Sequence, residues 1–383
     1  MPVMDLLSFE PVVLPAGIVR WRHEVREFAA THCSGIAAER RANAWSVFDA
    51  RFSRLLGERG WIGLTWPRAY GGAERSALER YVLLEELLAA GAPVGAHWIA
   101  DRQSGPALLR YGSEAQRRRF LPAITRGECF FCIGMSEPGA GSDLAAVRTR
   151  AERRGDHWVL NGQKLWTTHA HQAHMMIALV RTGEGAKRHE GLSQLLVDLE
   201  SPGVSVRPIV DLAGEAHFNE VFFDDVAVPP DMLLGHEGEG WAQCTSELSL
   251  ERSGPERYLS SHALFVEFLR SADPASQAQR IEIGRLSAEL WTLREMSLAV
   301  AGRLAAGHDP ALEAAIVKDL GNSFEQALPR RVQALLDDGI ALHDDAPLAR
   351  VLALLLQISP SFSLRGGTRE ILRGIIARGL GLR

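Results

Sequence analysis

The chain has 383 residues, 46% of them hydrophobic and 23% charged, with a formal net charge of −5 at pH 7. That length holds two or three domain-sized regions of ordinary globular composition, and the acidic balance excludes the basic footprint of a nucleic-acid binder. No apolar run approaches the ~20 residues of a membrane span, so no membrane insertion is expected, and 4 cysteines in a chain this long do not make a disulfide framework.

The start, MPVMDLLSFEPVV, shows neither a secretory pattern nor the Arg- and Ser-rich look of a transit peptide, and the expectation is a cytoplasmic location. From residue 16 to 126 apolar residues recur at three- and four-residue spacing, most clearly in 18–28 and 48–56, and predict helices. Ser76-Ala77-Leu78-Glu79 is a capping box opening a helix through Leu83, Leu84, Leu87 and Leu88.

After an apolar run at 130–135, the residues Ser136-Glu137-Pro138-Gly139-Ala140-Gly141-Ser142-Asp143 supply a fixed turn, two glycines for close backbone approach, and two hydroxyls. Residues 157–160 are extended in pattern. Asn161-Gly162, a type I′ dipeptide, predicts a hairpin that returns the chain through Gln163 to Thr168. That hairpin would carry Trp166, Thr167 and Thr168 back beside the Ser136 turn, where an indole and hydroxyls suit a flat, electron-accepting ring. An ordinary antiparallel sheet with a glycine-rich turn has the same spacing.

Cys129 and Cys132 form a lone C-x-x-C without a second pair, and on a strand residues three apart face opposite ways; no metal site is expected. His169, His171 and His174 lack the helical spacing of a zinc helix and read as a solvated loop. Residues 175–180, 194–199, 204–209 and 220–226 are short β-type runs between Gly, Pro and Asp punctuation. Helical spacing resumes at Trp241, with breaks near Pro255, Pro274 and Pro310. The expectation is an α+β chain with a helical domain at 1–128, a small β domain at 129–235 and a helical domain at 236–383.

Residues 133–168, IGMSEPGAGSDLAAVRTRAERRGDHWVLNGQKLWTT, resemble the flavin-binding signature of the acyl-CoA dehydrogenases. There a Thr/Ser-Glu-Pro-x-x-Gly-Ser-Asp turn precedes an Asn-Gly-x-Lys-x-Trp-x-Thr hairpin. Trp66-Pro67 with Tyr70-Gly71-Gly72, YGSEAQRRRFLPAITRGE at 111–128, and the closing GGTREILRGIIARGLGLR resemble that family's N-terminal loop, approach helix and last helix. The likeness is weakest at 260–360.

The resemblance implies FAD as cofactor and removal of an α proton and a β hydride from an acyl-CoA thioester, with electrons passed to an electron-transfer flavoprotein. Ser136 and Thr168 would hydrogen-bond the flavin ring, Trp166 would pack on it, Met135, Gly141 and Thr167 would line it, and Gly367, Thr368 and Glu370 would close over it. Ser142 would contact the flavin or the pantetheine arm, and Arg252 the mouth of the substrate channel. Many members carry the base in a Tyr-Glu-Gly-Thr stretch, but this chain reads Arg365-Gly366-Gly367-Thr368. A minority resembling isovaleryl-CoA dehydrogenase place it in a Leu-x-x-Glu-Arg context. The stretch Glu247-Leu248-Ser249-Leu250-Glu251-Arg252 makes Glu251 the candidate base, against the alternative of a surface glutamate. Gly366 would still offer its backbone N–H to the thioester oxygen and would widen the pocket for a bulky acyl group.

Homotetrameric members usually carry Arg-x-x-Phe-Gly and Gln-x-x-Gly-Gly motifs that reach a neighbour's flavin. Here the two places read FLRSADPASQAQR and VQALLDDGIALHDD. These losses resemble subunits of acyl-CoA dehydrogenases acting on sterol or bile-acid side chains, which work as pairs of unlike subunits. The expected assembly is a homo-oligomer (dimer or tetramer) or a heterotetramer in which this chain carries the base. Two other readings stay open: a non-catalytic or partner-dependent subunit, and a flavin enzyme of this fold performing nitroalkane oxidation or desulfination.

Overall fold

The computed structural model describes residues 7–250, 254–336 and 345–382. Helices α1 (Ala16–Cys33), α2 (Ala38–Ala42), α3 (Ala50–Glu58), α4 (Ala77–Ala89), α5 (Gly95–Ile99), α6 (Gly105–Tyr111) and α7 (Glu114–Thr125) come first. Strands β1 (Phe131–Gly134), β2 (Arg150–Arg154), β3 (His157–Thr168), β4 (Met175–Arg181), β5 (Leu192–Asp198), β6 (Val204–Ile209), β7 (Phe218–Val228) and β8 (Leu233–Leu234) follow. Helices α8 (Gly240–Leu250), α9 (His262–Ser271), α10 (Gln277–Ala305), α11 (Ala311–Gln333), α12 (Pro347–Ile358) and α13 (Arg369–Gly379) close the chain. The order is helical domain, sheet, helical domain. Pro255, Pro274 and Pro310 lie in the breaks between successive helices from α8 to α11, where a missing N–H and a fixed φ interrupt the ladder.

By internal contacts the chain forms two compact units, one of residues up to 47, 75–93 and from 249 on, the other of 48–74 and 94–248. The second holds a mixed sheet in the order β6-β7-β3-β2-β4-β5-β8, with β1 pairing parallel to β4 off this path. Met176, Ile177, Ala178, Leu179 and Val180 on β4 are fully buried, so this central strand reads as an unbroken apolar run. Edge strand β6 instead alternates half-buried and exposed residues from Val204 to Arg207.

The β2–β3 hairpin turns at residues 155 and 156, since Arg154 pairs with His157 and Gly155 has φ 63°. The expectation of a hairpin at Asn161-Gly162 is therefore corrected. Both residues lie inside β3, at a bulge where Leu160 pairs with Val226 but Gly162 with Phe223. The Asn161 carbonyl oxygen accepts the Asp225 N–H and its amide donates to the Asp225 carboxylate, both at 2.9 Å. These bonds hold Asp225 in the left-handed region at φ 47°. Gly162, at φ 143°, runs so close to β2's approach that a Cβ would lie 2.7 Å from the Thr149 Cα.

In the same unit residues Ala100–Ser104 widen into a π-turn between α5 and α6. In a regular α-helix the Pro106 ring would press on the carbonyl four residues earlier, and the wider turn relieves that clash. Asp101 accepts the Gly63 N–H at 2.7 Å, and a Cβ on Gly105 would sit 2.0 Å from the Trp66 ring, so the turn is locked against the loop at 61–72.

In the first unit, α4 opens with the predicted capping box, both reciprocal bonds of Ser76 and Glu79 being present. The Trp21 indole N–H donates to the Glu79 carbonyl at 3.0 Å and ties α1 to α4. Buried Glu85 is met by Arg294 at 2.7 Å and Arg22 at 2.8 Å, so its charge is paired. One apolar stretch, Pro347–Leu364, does reach 18 residues, which corrects the reading of no such run. It changes from α to 3-10 geometry at Ser359, and α12 packs on α2 and α9 through buried Leu348, Val351, Leu352 and Leu355.

Candidate functional site

The candidate residues fall into two groups, one in each unit. In the sheet unit, β1 delivers the chain into a tight turn in which Glu137 and Ala140 exchange backbone bonds of 2.9 and 3.1 Å, with Pro138 and Gly139 at its tip. Met135 packs on a cluster of Ala140, Val147, Leu179 and Leu192, which anchors the turn to the sheet. Ser136 is half-buried, while Gly141 and Ser142 are exposed. A Cβ built on Gly139 or Gly141 meets nothing within 4 Å, so the turn faces open space.

Strand β3 runs alongside. The Leu165 N–H donates to the Ser136 carbonyl at 2.9 Å, which places Trp166, Thr167 and Thr168 beside the turn as expected, though by the length of the strand and not by a hairpin at Asn161. The Trp166 side chain is 56% exposed, and its backbone sits at φ 61°. For a bulky residue that left-handed conformation costs on the order of 1–3 kcal/mol and clusters at ligand clamps. Phe218 stands perpendicular to the indole, with centroids 6.0 Å apart. Thr168 is half-buried, and the Thr167 hydroxyl is buried without a hydrogen-bond partner. An open glycine turn, a projecting indole and threonine hydroxyls fit the flat, polar-edged ring of FAD.

Two residues inside the quoted motifs were given no role from sequence. Lys164, fully buried, donates to the Glu137 carboxylate at 2.8 Å and to the Met135 carbonyl at 3.2 Å. Glu137 also accepts the backbone N–H groups of Arg148 and Thr149 at 2.7 and 3.0 Å. Burial pushes the Glu137 carboxyl up, but the Lys164 ammonium and these donors outweigh it and hold it below the usual carboxylate range. Burial pushes the Lys164 ammonium down to about 8, against the pull of Glu137, so both partners are charged at neutral pH. The available signal was a lysine at a buried strand position, which needs a paired acid.

In the helical unit, Gly366 and Gly367 form a turn at φ 62° and 100° before α13. A Cβ on Gly366 would lie 3.3 Å from the Arg257 guanidinium and 3.4 Å from the Lys318 Cε. Lys318, fully buried, donates to the Gly367 carbonyl at 2.6 Å. Arg365 lies over the Trp45 and Phe362 rings and pairs with buried Glu325 at 3.3 Å. Thr368 is the N-cap of α13, its hydroxyl accepting the Ile371 N–H, and Glu370 is exposed in the first turn. Glu251 and Arg252 lie outside the described residues, as does part of VQALLDDGIALHDD.

The histidine loop is corrected in one respect. His171 and His174 are exposed, but His169 is buried, at φ 54°, with its ring edge-on to Phe48 and its N–H donating to the His217 carbonyl at 2.7 Å. The positive φ ends β3 and tucks the ring inward. Cys132 is fully buried on β1, and burial pushes the Cys129 thiol up to about 11, so neither is poised as a thiolate.

Comparison with known proteins agrees with this geometry. Residues 19–128 match the model of the acyl-CoA dehydrogenase N-terminal domain, and residues 132–226 that of the acyl-CoA dehydrogenase middle domain. The acyl-CoA dehydrogenase IpdE1 of Mycobacterium tuberculosis is 41% identical over 61% of this chain and 63% of its own length. The acyl-CoA dehydrogenase FadE29 of the same organism is 35% identical over 85% of this chain and 86% of its own. Among solved structures, the Tcur3481-Tcur3483 steroid ACAD superposes with a TM-score of 0.87 at 28% identity, covering 98% of this chain and 99% of that one. The ChsE4-ChsE5 complex from Mycobacterium tuberculosis does so with 0.85 at 30% identity, over 98% and 100%. The chain belongs to the acyl-CoA dehydrogenase family, FAD-binding oxidoreductases that act on CH–CH bonds.

Proposed function

We propose that the chain is the base-carrying subunit of a heteromeric acyl-CoA dehydrogenase that desaturates a bulky or branched acyl thioester at Cα–Cβ. The observation that carries this reading is Gly366. Where many relatives place the glutamate base, this chain has a glycine in a left-handed backbone at φ 62°. Glycine supplies no carboxylate there, and Glu251 in its Leu-x-x-Glu-Arg context would take the role.

Glu251 would accept the α proton, its carboxyl raised toward working pH by an apolar acyl group packed against it. The backbone N–H at Gly366 would hold the thioester oxygen, since a main-chain donor acts whatever the side chain. FAD, when bound, supplies the acceptor for the β hydrogen and its electron pair. Met135, Ser136, Gly141, Trp166, Thr167 and Thr168 would hold its ring, Gly367, Thr368 and Glu370 would contact the cofactor, and Ser142 and Arg252 would face the CoA arm and the channel mouth. An electron-transfer flavoprotein would reoxidise the enzyme.

The absence of Arg-x-x-Phe-Gly and Gln-x-x-Gly-Gly leaves the pyrophosphate and adenine of FAD to a second, unlike subunit. The likeness to the steroid ACAD and to the ChsE4-ChsE5 complex supports both this pairing and a polycyclic acyl group. The test is dye reduction with a panel of acyl-CoA thioesters, assayed with and without a co-expressed homologous dehydrogenase subunit. Polycyclic or branched thioesters should turn over best, and only in the paired enzyme. Best turnover of short straight chains by the chain alone would overturn the proposal, and bound flavin with no acyl-CoA-dependent reduction would point to other chemistry on this fold.

A further inference from the structure

We infer that the Lys164–Glu137 ion pair, with Asn219 on the far side of the bulge, positions the Trp166 indole and the Ser136 turn for the flavin. The inference rests on the family's cofactor and not on the dehydrogenation reading, and it concerns positioning residues, not groups that touch substrate.

Trp166 stands in a β-bulge. Lys164 pairs with Val221 and Thr167 with Asn219, so Leu165 and Trp166 together oppose a single residue of β7. The bulge frees the Leu165 N–H from the β7 ladder, and it donates to the Ser136 carbonyl at 2.9 Å. On the preceding side Lys164 bonds the Met135 carbonyl at 3.2 Å and the Glu137 carboxylate at 2.8 Å, so residues 164 and 165 grip three successive residues of the turn. On the following side the fully buried Asn219 donates its amide N–H to the Thr167 carbonyl at 2.9 Å. Fixed at both ends, the chain between has one way to run, with Trp166 at φ 61° and its indole directed outward.

Packing within the unit does not account for this strain, because the indole is 56% exposed and meets Phe218 only in a perpendicular contact. A strained, exposed, doubly anchored aromatic beside an open turn is preorganised for a stacked planar ligand. Glu137 transmits the same constraint further, since its carboxylate also gathers the Arg148 and Thr149 N–H groups and so ties the end of the 136–148 loop to its beginning.

The test uses the full chain, with its partner subunit where one co-purifies, stripped of flavin and titrated with FAD. Its readouts are the dissociation constant from flavin fluorescence and the thermal midpoint of the flavin-free protein. Lys164→Met leaves a buried carboxylate unpaired and should lower the midpoint and weaken FAD together. Lys164→Met with Glu137→Gln removes both charges, a change that restores stability where a pair serves only to balance itself. Here the double variant should regain most of the midpoint yet bind FAD at least tenfold more weakly than the parent. Trp166→Gly, which accepts a positive φ without strain, should raise the flavin-free midpoint while weakening FAD. Recovery of FAD affinity along with the midpoint in the double variant would overturn the inference, because the pair would then only neutralise itself. If the double variant does not regain its midpoint, Trp166→Gly decides: a flavin-free midpoint that does not rise shows that no strain is held at the bulge, and the inference fails.

Discussion

At Gly366 the backbone is left-handed, at φ 62°, a conformation that a residue with a side chain adopts only under strain. Gly366→Ala should destabilise the flavin-free protein by roughly 1 kcal/mol or more, seen as a lower denaturation midpoint. His97 offers a pH-dependent test in the other unit. It is buried against the Ser53 hydroxyl at 2.8 Å, and burial pushes its imidazole down to about 4, opposed by Asp101. Because the folded value lies below the ordinary 6.5, the unfolded chain takes up the proton first. The contribution is whole above about pH 6.5 and is lost as pH falls toward 4, amounting to about 3 kcal/mol. Urea midpoints measured from pH 7 to 4 should fall steeply in the parent and less so in His97→Gln. Ser136, Trp166 and Thr168 stand out in the sequence through their match to the family's flavin-binding motif, and the structure brings them to one place, β3 running beside the Ser136 turn. Lys164 and His169 were not legible, since a lysine in a strand and a histidine after one read as solvated until their partners Glu137 and Phe48 are seen.

Elements defined by local signals were equally legible: the Ser76 capping box, the proline breaks between the last helices, and the apolar β runs all act over a few residues. The hairpin was not. Gly155-Asp156 and Asn161-Gly162 are both turn dipeptides, and the choice between them is made by pairing with β7, some sixty residues on. The Asn161–Asp225 bonds that fix this register give it a measurable weight. Asn161→Ala should cost about 1 kcal/mol for two exposed bonds, and Gly162→Ala more, because its Cβ would meet the Thr149 backbone at 2.7 Å. Chemical denaturation of the two variants checks the order, and an Asn161→Ala change larger than that of Gly162→Ala would place the register elsewhere.

Across the whole molecule, the succession helical, sheet, helical followed from the change of hydrophobic period near residues 129 and 241, because that period is set by the backbone itself. The partition of the N-terminal helices was hidden, since α3, α5, α6 and α7 cluster with the sheet while α1, α2 and α4 cluster with the C-terminal helices. Contacts so distant in sequence leave no local mark. The absent pyrophosphate motifs bear on assembly: the chain purified alone should hold little FAD, and co-expression with an unlike homologous subunit should raise flavin content severalfold. The central proposal, that Glu251 replaces the base Gly366 cannot supply, is tested most directly by mixing Glu251→Gln enzyme, with FAD bound, and an acyl-CoA that bleaches the parent's flavin absorbance. The variant should keep its flavin and show no bleaching, whereas bleaching at the parent's rate and extent would contradict the assignment.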